Sequence, residues 1–374
     1  MLDVVTLAEA LIACPSVTPA AGLVFDCLEA ALKPLGFAVH RFVAGSAPDG
    51  PVENLFAIRQ GPMGSKHFAF AGHLDVVPPG VGWTSAPFAP EQRGDMLFGR
   101  GAVDMKGAIA AMVCAVQHIP QDAGSISLII TGDEEGPAKF GTVALIDHIR
   151  SVSAIPDFCL VGEPTSAARF GDTIKIGRRG SVNMWLEVIG QEGHVAYPQL
   201  ADNPAPRLVA LLAELDGLVL DTGTDWFQPS NLEITQMTID NPATNVIPAK
   251  ASARLSIRFN DQHTGASLSA MVSEIAEKHR GIVRAEISGE AFITQPGALS
   301  TLVSVAVAAE TGVTPELSTT GGTSDARFLK DLCPVIEFGV SNATMHKRDE
   351  AVAVEDLRAL TRIYQRVAEA ALRE

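Results

Sequence analysis

Apolar residues recur at helical spacing near the start of the chain, where Leu2, Val5, Leu7, Ala8, Leu11 and Ile12 predict a helix over 3–13. The same periodicity predicts helices over 21–33 and 104–118, and apolar runs predict strands over 54–59, 66–72, 125–131 and 157–162. This alternation argues for an α/β layer around a buried, mostly parallel sheet. The C-terminal third resumes it with a helix over 297–311, a buried strand at Pro334–Phe338 and a closing helix over 354–372.

Between these parts the rhythm changes. A strand over 182–189 leads to a helix opened by Asn203, Pro204 and Pro206, followed by strands over 231–239 and 250–259. A second helix, capped by Thr264, carries Leu268, Met271, Val272 and Ile275 on one face and precedes a strand at Ile282–Ile287. The order β-α-β-β-α-β is that of a ferredoxin-like unit. The expected fold class is therefore α/β: a main domain over 1–179 and 292–374 with a mostly parallel, helix-covered mixed sheet, plus an inserted α+β ferredoxin-like domain over 180–291.

With 374 residues, 47% of them hydrophobic, the chain has enough material for two domains. Its net charge of −15 disfavours binding to nucleic acid or to an anionic membrane, since both reward a basic surface. Against that background, Lys175, Arg178 and Arg179 suggest a pocket for a carboxylate-bearing ligand, and equally fit a solvated strand end. The five cysteines are odd in number and lack C-x-x-C pairing, so they read as reduced core residues of a cytoplasmic protein. Leu11-Ile12-Ala13-Cys14 resembles a lipoprotein cleavage site only superficially, because no basic segment precedes it and Asp3 and Glu9 interrupt the apolar run. The apolar run from Gly107 to Val116 is too short to span a bilayer, and a soluble protein is expected.

The candidate chemistry begins at Gly72-His73-Leu74-Asp75, after an apolar strand. If the strand continues through it, His73 and Asp75 share a face, and Asp75 accepts a hydrogen bond from the imidazole nitrogen that a metal does not use. A polar strand end feeding a turn would look the same. Asp104 stands at the entrance of an apolar helix, where a carboxylate is also an ordinary cap. Asp133, Glu134 and Glu135 end another strand and repel one another unless a cation sits among them or water screens them. Glu163 ends a further strand. Ligands of open α/β sheets bind beyond the carboxyl ends of strands, where these acids fall. His346, in a loop before the last helix, supplies a second imidazole.

Taken together, His73-Leu74-Asp75, Asp104, Asp133-Glu134-Glu135, Glu163-Pro164 and His346 resemble the M20 metallopeptidase family nearly end to end. The resemblance implies two zinc ions per subunit, for which cobalt can substitute. His73 and Glu163 would hold one ion, His346 and Glu135 the other, and Asp104 would bridge them. Three carboxylates against two Zn²⁺ leave a single positive charge, which one bridging hydroxide brings close to neutral. That hydroxide would be the nucleophile, Glu134 the general base and acid, and Asp75 a further catalytic residue.

Further segments resemble the branch of the family that releases succinate from N-succinyl-L,L-2,6-diaminopimelate in lysine biosynthesis. They are Gly177–Ser181, Gly193–Pro198, Leu200–Pro204, Asn245–Pro248, Thr320–Asp325 and Asn342–Lys347. This likeness implies a homodimer formed through the inserted domain, in which His194 of one subunit serves as an oxyanion donor in the site of the other. It also implies that Lys175, Arg178, Ser181, Tyr197, Asn245, Arg258, Gly322, Thr323 and Ser324 bind the small-molecule substrate, with Asn245 reaching across the dimer and Arg179 structural. Along Ala253–Asn260, strand alternation places Arg258 away from the apolar face, where its fork can take a carboxylate.

Two departures from that branch stand out: Gly136-Pro137-Ala138-Lys139-Phe140 replaces a segment more often rich in Ser and Ala, and Gly132 replaces a common serine. The alternatives are another deacylase or peptidase of the same family, such as one acting on N-acetylornithine, or a non-catalytic binding member. The presence of every ligand and of Glu134 argues against the last.

Overall fold

The computed structural model describes residues 2–373, and its contacts divide them into two units. The smaller comprises Gly177–Ile293 together with Thr319–Thr323, and the larger comprises the rest.

The larger unit is built on an eight-stranded sheet. Its strands run in the order Ala38–Ala44, Val52–Arg59, Ser125–Thr131, His67–His73, Phe158–Val161, Val335–Glu337, Thr173–Lys175 and Glu316–Ser318. The sheet is mixed, but His67–His73 lies parallel to both of its neighbours, and Phe158–Val161 is parallel to Val335–Glu337. Every residue of His67–His73 is buried, which explains why it reads as a continuous apolar run rather than an alternating one.

Helix Lys106–Val116 packs against that strand and is buried on all sides, Lys106 included. The Lys106 ammonium escapes an unpartnered position by donating to the Cys14 carbonyl at 2.8 Å. The closing helix Val354–Ala371 has one buried face, with Leu357, Leu360, Ile363, Tyr364 and Val367 directed inward, and it packs against Lys106–Val116. Each such side chain contributes about 1.5–3 kcal/mol relative to an exposed position. The strand Ala38–Ala44 and the helix Thr142–Ser151 were not foreseen. The first is exposed or half-buried along its length at the sheet's edge, and the second mixes polar and apolar residues, so neither carries a strong period.

The smaller unit has a four-stranded sheet in the order Asn231–Thr238, Lys250–Phe259, Gly180–Ile189, Gly281–Gly289, all neighbours antiparallel. Helices Pro204–Asp216 and Gly265–Lys278 complete the β-α-β-β-α-β unit expected from the sequence. Asn203 caps the first helix through the Ala205 amide, and Thr264 caps the second through the Ser267 amide. Met184, Leu186, Leu208, Leu211, Leu255 and Val272 are among the residues of its own core. Among the described residues, no helix is long and apolar enough to cross a membrane, and all five cysteines are free thiols.

Candidate metal centre

Three parallel strands end side by side. His73, the last residue of its strand, pairs with Thr131, the last residue of Ser125–Thr131, and Ala71 pairs with Val161, the last residue of Phe158–Val161. The chain beyond each strand therefore brings His73, the acids 133–135 and Glu163 to one edge, as the carboxyl-end rule requires. Asp104 arrives from the loop before Lys106–Val116, and His346 from the loop after the strand Val335–Glu337.

The two imidazoles approach opposite oxygens of one carboxylate. His73 Nε2 lies 3.1 Å from Asp104 Oδ1 and 3.7 Å from Glu163 Oε1. His346 Nε2 lies 3.1 Å from Asp104 Oδ2 and 2.8 Å from Glu135 Oε1. Two potential ligand sets, His73–Asp104–Glu163 and Asp104–Glu135–His346, thus share Asp104, with the donor atoms of each within 4.8 Å of one another. Imidazole nitrogen and carboxylate oxygen in this arrangement suit zinc, cobalt or manganese. His73, Asp104 and Glu163 are buried, whereas His346 is exposed and adopts a left-handed backbone with φ 61°.

The electrostatics are those of crowded acids. Burial pushes the Glu163 carboxyl well above its ordinary range, with Asp104 and Glu134 adding to the effect. Burial and the Asp325 carboxylate likewise hold Glu134 well above its usual value. The imidazoles respond in the same sense. Hydrogen bonds to Asp104 and Glu135 raise His346 to about 10, and those from His73 to its acidic neighbours outweigh the burial that would lower it. A site that raises Glu134 and Glu163, holds Asp104 well below its ordinary range through its two imidazole neighbours and draws protons onto its histidines is one that a cation would settle, which the donor set fits.

The structure adds detail to two local roles. The strand stops at His73, and the nearest acceptor for His73 Nδ1 is the Asp75 main-chain oxygen at 2.9 Å, the carboxylate lying at 3.5 Å. The Asp75 carboxylate also accepts the backbone amides of Glu134 at 3.1 Å and Glu135 at 2.9 Å. It therefore orients the acid pair directly. Asp104 is also no cap: Met105 occupies the cap position of Lys106–Val116, and the Asp104 carboxylate points at the imidazoles.

The remaining expected site residues fall into separate groups. In the larger unit, Lys175 Nζ donates to Ser318 Oγ at 3.0 Å and is opposite Glu337 in the sheet, while Ser324 Oγ donates to Glu337 Oε1 at 2.5 Å. In the smaller unit, Ser181 and Arg258 are directly opposed in the ladder, and Arg258 Nη1 is buried with no hydrogen-bond partner. Arg178 Nη1 donates to the Thr320 carbonyl at 3.3 Å. The adjacent Gly321 has φ 104°, and a Cβ there would come within 2.7 Å of Arg178 Nη1, so a side chain would press on the guanidinium. Gly322 is exposed and Thr323 half-buried beside it. Arg179 Nη1 binds Asn231 Oδ1 at 2.9 Å, in keeping with a structural role.

A third group is exposed around the two-stranded ladder of Gly193–His194 with Val246–Ile247 and comprises His194, Tyr197 and Asn245. The His194 and Tyr197 rings stand 5.7 Å apart, the Val195 amide donates to the Asn245 carbonyl at 3.1 Å, and Ala196 N donates to His194 Nδ1 at 3.0 Å.

Gly132, a departure from the expected pattern, has a physical reason. A Cβ there would lie 2.6 Å from the Ala20 carbonyl oxygen and 2.9 Å from that of Glu53, so the backbone leaves no room for serine. Sequence reasoning missed Glu350 and the partner of Asp325, whose Oδ2 accepts Thr142 Oγ1 at 2.7 Å. Glu350 is fully buried although Lys347, Arg348 and Asp349 precede it, and nothing local in the sequence marks it.

Comparison with known proteins accords with this geometry. The description Peptidase family M20/M25/M40 matches residues 69–370. The chain belongs to that family. It is 72% identical over 371 residues to a protein of Novosphingobium aromaticivorans named succinyl-diaminopimelate desuccinylase, covering 99% of each chain. It is 69% identical over 376 residues to a protein of the same name from Erythrobacter litoralis, covering 100% of each. Among solved structures, a tripeptidase from Staphylococcus aureus superposes with a TM-score of 0.79 at 17% identity, covering 99% of this chain and 98% of the other. That likeness shows the fold. Like its close relatives, the chain is a hydrolase of the M20 family.

Proposed function

We propose that the protein hydrolyses N-succinyl-L,L-2,6-diaminopimelate to succinate and L,L-2,6-diaminopimelate, using two metal ions shared across Asp104. The observation that carries the two-metal reading is the presentation of Oδ1 and Oδ2 of Asp104 to different imidazoles. The substrate is supported by the relatives named for that activity.

His73 and Glu163 would hold one ion, His346 and Glu135 the other. Two zinc ions supply, when bound, Lewis acidity at the scissile carbonyl and a lowered pKa for a coordinated water. Glu134 takes the proton of the attacking water and returns it to the leaving amine, so that one water is consumed and one amide becomes an acid and an amine. The Asp75 carboxylate keeps Glu134 aimed by holding its amide.

The polyanionic substrate calls for cationic partners. Arg258, with its unpartnered buried Nη1, and Arg178 are assigned to substrate carboxylates, with Ser181, Lys175, Gly322, Thr323 and Ser324 as further contacts. The protein acts as a cytoplasmic homodimer in this reading. His194 and Asn245, exposed on their two-stranded ladder beside Tyr197, serve the site of the partner copy, His194 as oxyanion donor.

The deciding experiment measures succinate release against acetate release from N-succinyl- and N-acetyl-substrates, with metal content determined on the same sample. Succinate release that saturates with two metals per chain is expected. Faster release of acetate from N-acetylornithine would move the protein to a deacylase of the same family. No release of either acyl group, with Glu134→Ala indistinguishable from wild type, would indicate a non-catalytic member.

A further inference from the structure

Glu350 lies in the C-terminal segment, four residues beyond His346, and its side chain is fully buried. Its carboxylate takes four donors, all from the loop that delivers Asp104. Oε2 accepts Arg100 Nη1 at 2.6 Å and the Gly101 amide at 3.2 Å. Oε1 accepts the Val103 amide at 2.8 Å and the Asp104 amide at 3.1 Å. The main chain joins in, since Gly99 N donates to the Glu350 carbonyl at 2.9 Å. Arg100 is itself fixed, its guanidinium stacked 5.1 Å above the Trp83 ring.

The other side of Glu350 is tied to His346. Thr344 Oγ1 donates to the Ala351 carbonyl at 2.9 Å and accepts the Ala351 amide at 3.1 Å, closing the loop that carries the histidine. Asp349 Oδ1 accepts the amide and hydroxyl of Thr84.

The candidate ligands therefore rest on unequal supports. His73 ends a strand of the eight-stranded sheet, and Glu163 follows another at a distance of two residues. Asp104 and His346 belong to no strand or helix, and His346 holds a left-handed backbone that the surroundings must enforce. The Glu350 carboxylate bonds directly to the backbone of one of these two ligands from a segment four residues from the other. A carboxylate is suited to the task because it presents two oxygens to several N–H groups, and the guanidinium offsets its burial.

We propose that Glu350 is a positioning residue that sets the separation of Asp104 and His346, and thereby governs the metal position formed by Asp104, Glu135 and His346 more than the one formed by His73, Asp104 and Glu163. This rests on the two-metal reading above, and the two are tested by different results of one titration. Zn²⁺ binding to metal-free protein is followed by calorimetry for wild type, Glu350→Gln, Glu350→Asp and Ile363→Val. Ile363 is a buried core residue of the closing helix, remote in role from the ligands, and its truncation controls for simple loss of stability.

Wild type should bind two ions. In Glu350→Gln and Glu350→Asp one binding step should weaken by at least about 10-fold while the other changes by less than about 3-fold, the scale set by partners of metal ligands. The two substitutions back each other up, so that either one recovered folded, by circular dichroism, decides the matter. Ile363→Val should bind both ions as wild type does. Unchanged binding in the Glu350 variants, equal weakening of both steps, or the same selective loss in Ile363→Val would overturn the proposal. Fewer than two ions bound by wild type would sink the two-metal reading, and this inference with it.

Discussion

In the larger unit, His67–His73 and its neighbours are buried on both faces and end at the side chains of the candidate centre. In the smaller unit, Lys250–Phe259 alternates buried residues with exposed or half-buried ones, and Arg258 lies on the less buried side. The first arrangement fixes ligands through backbone that cannot shift without breaking the sheet. The second presents long cationic side chains from a surface that can tolerate their loss. Changes in the larger unit should therefore remove chemistry outright, and changes in the smaller unit should tune recognition.

The largest effect is expected at Asp104. Asp104→Asn keeps the shape but removes the charge that two imidazoles share, and metal affinity should fall by more than the roughly 100-fold that supporting residues cost. Metal analysis after gel filtration checks this. Two ions retained at wild-type affinity would show that Asp104 is not the shared ligand.

Glu134→Ala comes next and separates base from ligand within one run of acids. Both metals should stay, while kcat falls by about 10²–10⁴-fold, the usual contribution of general acid–base catalysis. Metal loss matching that of His346→Ala would contradict this division of labour.

The comparison also explains what the sequence made legible. His73, Glu134, Glu135 and Glu163 stand at or just beyond strands whose apolar runs are unmistakable, so their convergence followed from the sheet. The β-α-β-β-α-β order was equally plain, because Asn203, Pro204 and Thr264 mark helix starts by local chemistry. Two facts were hidden. The strand ends at His73, two residues before Asp75, whose carboxylate accepts the amides of Glu134 and Glu135, a contact across 59 and 60 positions that no local pattern encodes. Glu350 meets Arg100 and Asp104 across some 250 and 246 positions, a pairing that no local pattern encodes.

In the smaller unit, Arg258→Ala should lower kcat/KM for the succinyl substrate by about 10–100-fold, the cost of losing one charge-assisted hydrogen bond of roughly 1.5–3 kcal/mol. Metal content should not change. A variant that lost metal instead would place Arg258 among the supports of the centre rather than in recognition.

The smallest effect concerns the stability of the smaller unit and carries a definite pH sign. Asp221 accepts the amides of Gly223 at 2.8 Å and Ser230 at 3.2 Å, Asn260 Nδ2 at 2.7 Å, and faces His263 Nε2 at 3.1 Å. Burial would raise its carboxyl, but hydrogen bonds from Ser230, Gly223 and Asn260 outweigh burial and lower it from 3.8 to about 2. A carboxyl lowered by folding stabilises the protein fully above its unfolded value, and this contribution fades as pH falls from near 4 toward 2. Asp221→Asn should therefore be less stable than wild type at pH 7, and the gap should narrow steadily on acidification below pH 4. Denaturant melts of both proteins across that range measure it. A gap that stayed constant would mean that Asp221 acts through its shape and neutral hydrogen bonds, and the smaller unit would then owe that corner to packing rather than to charge.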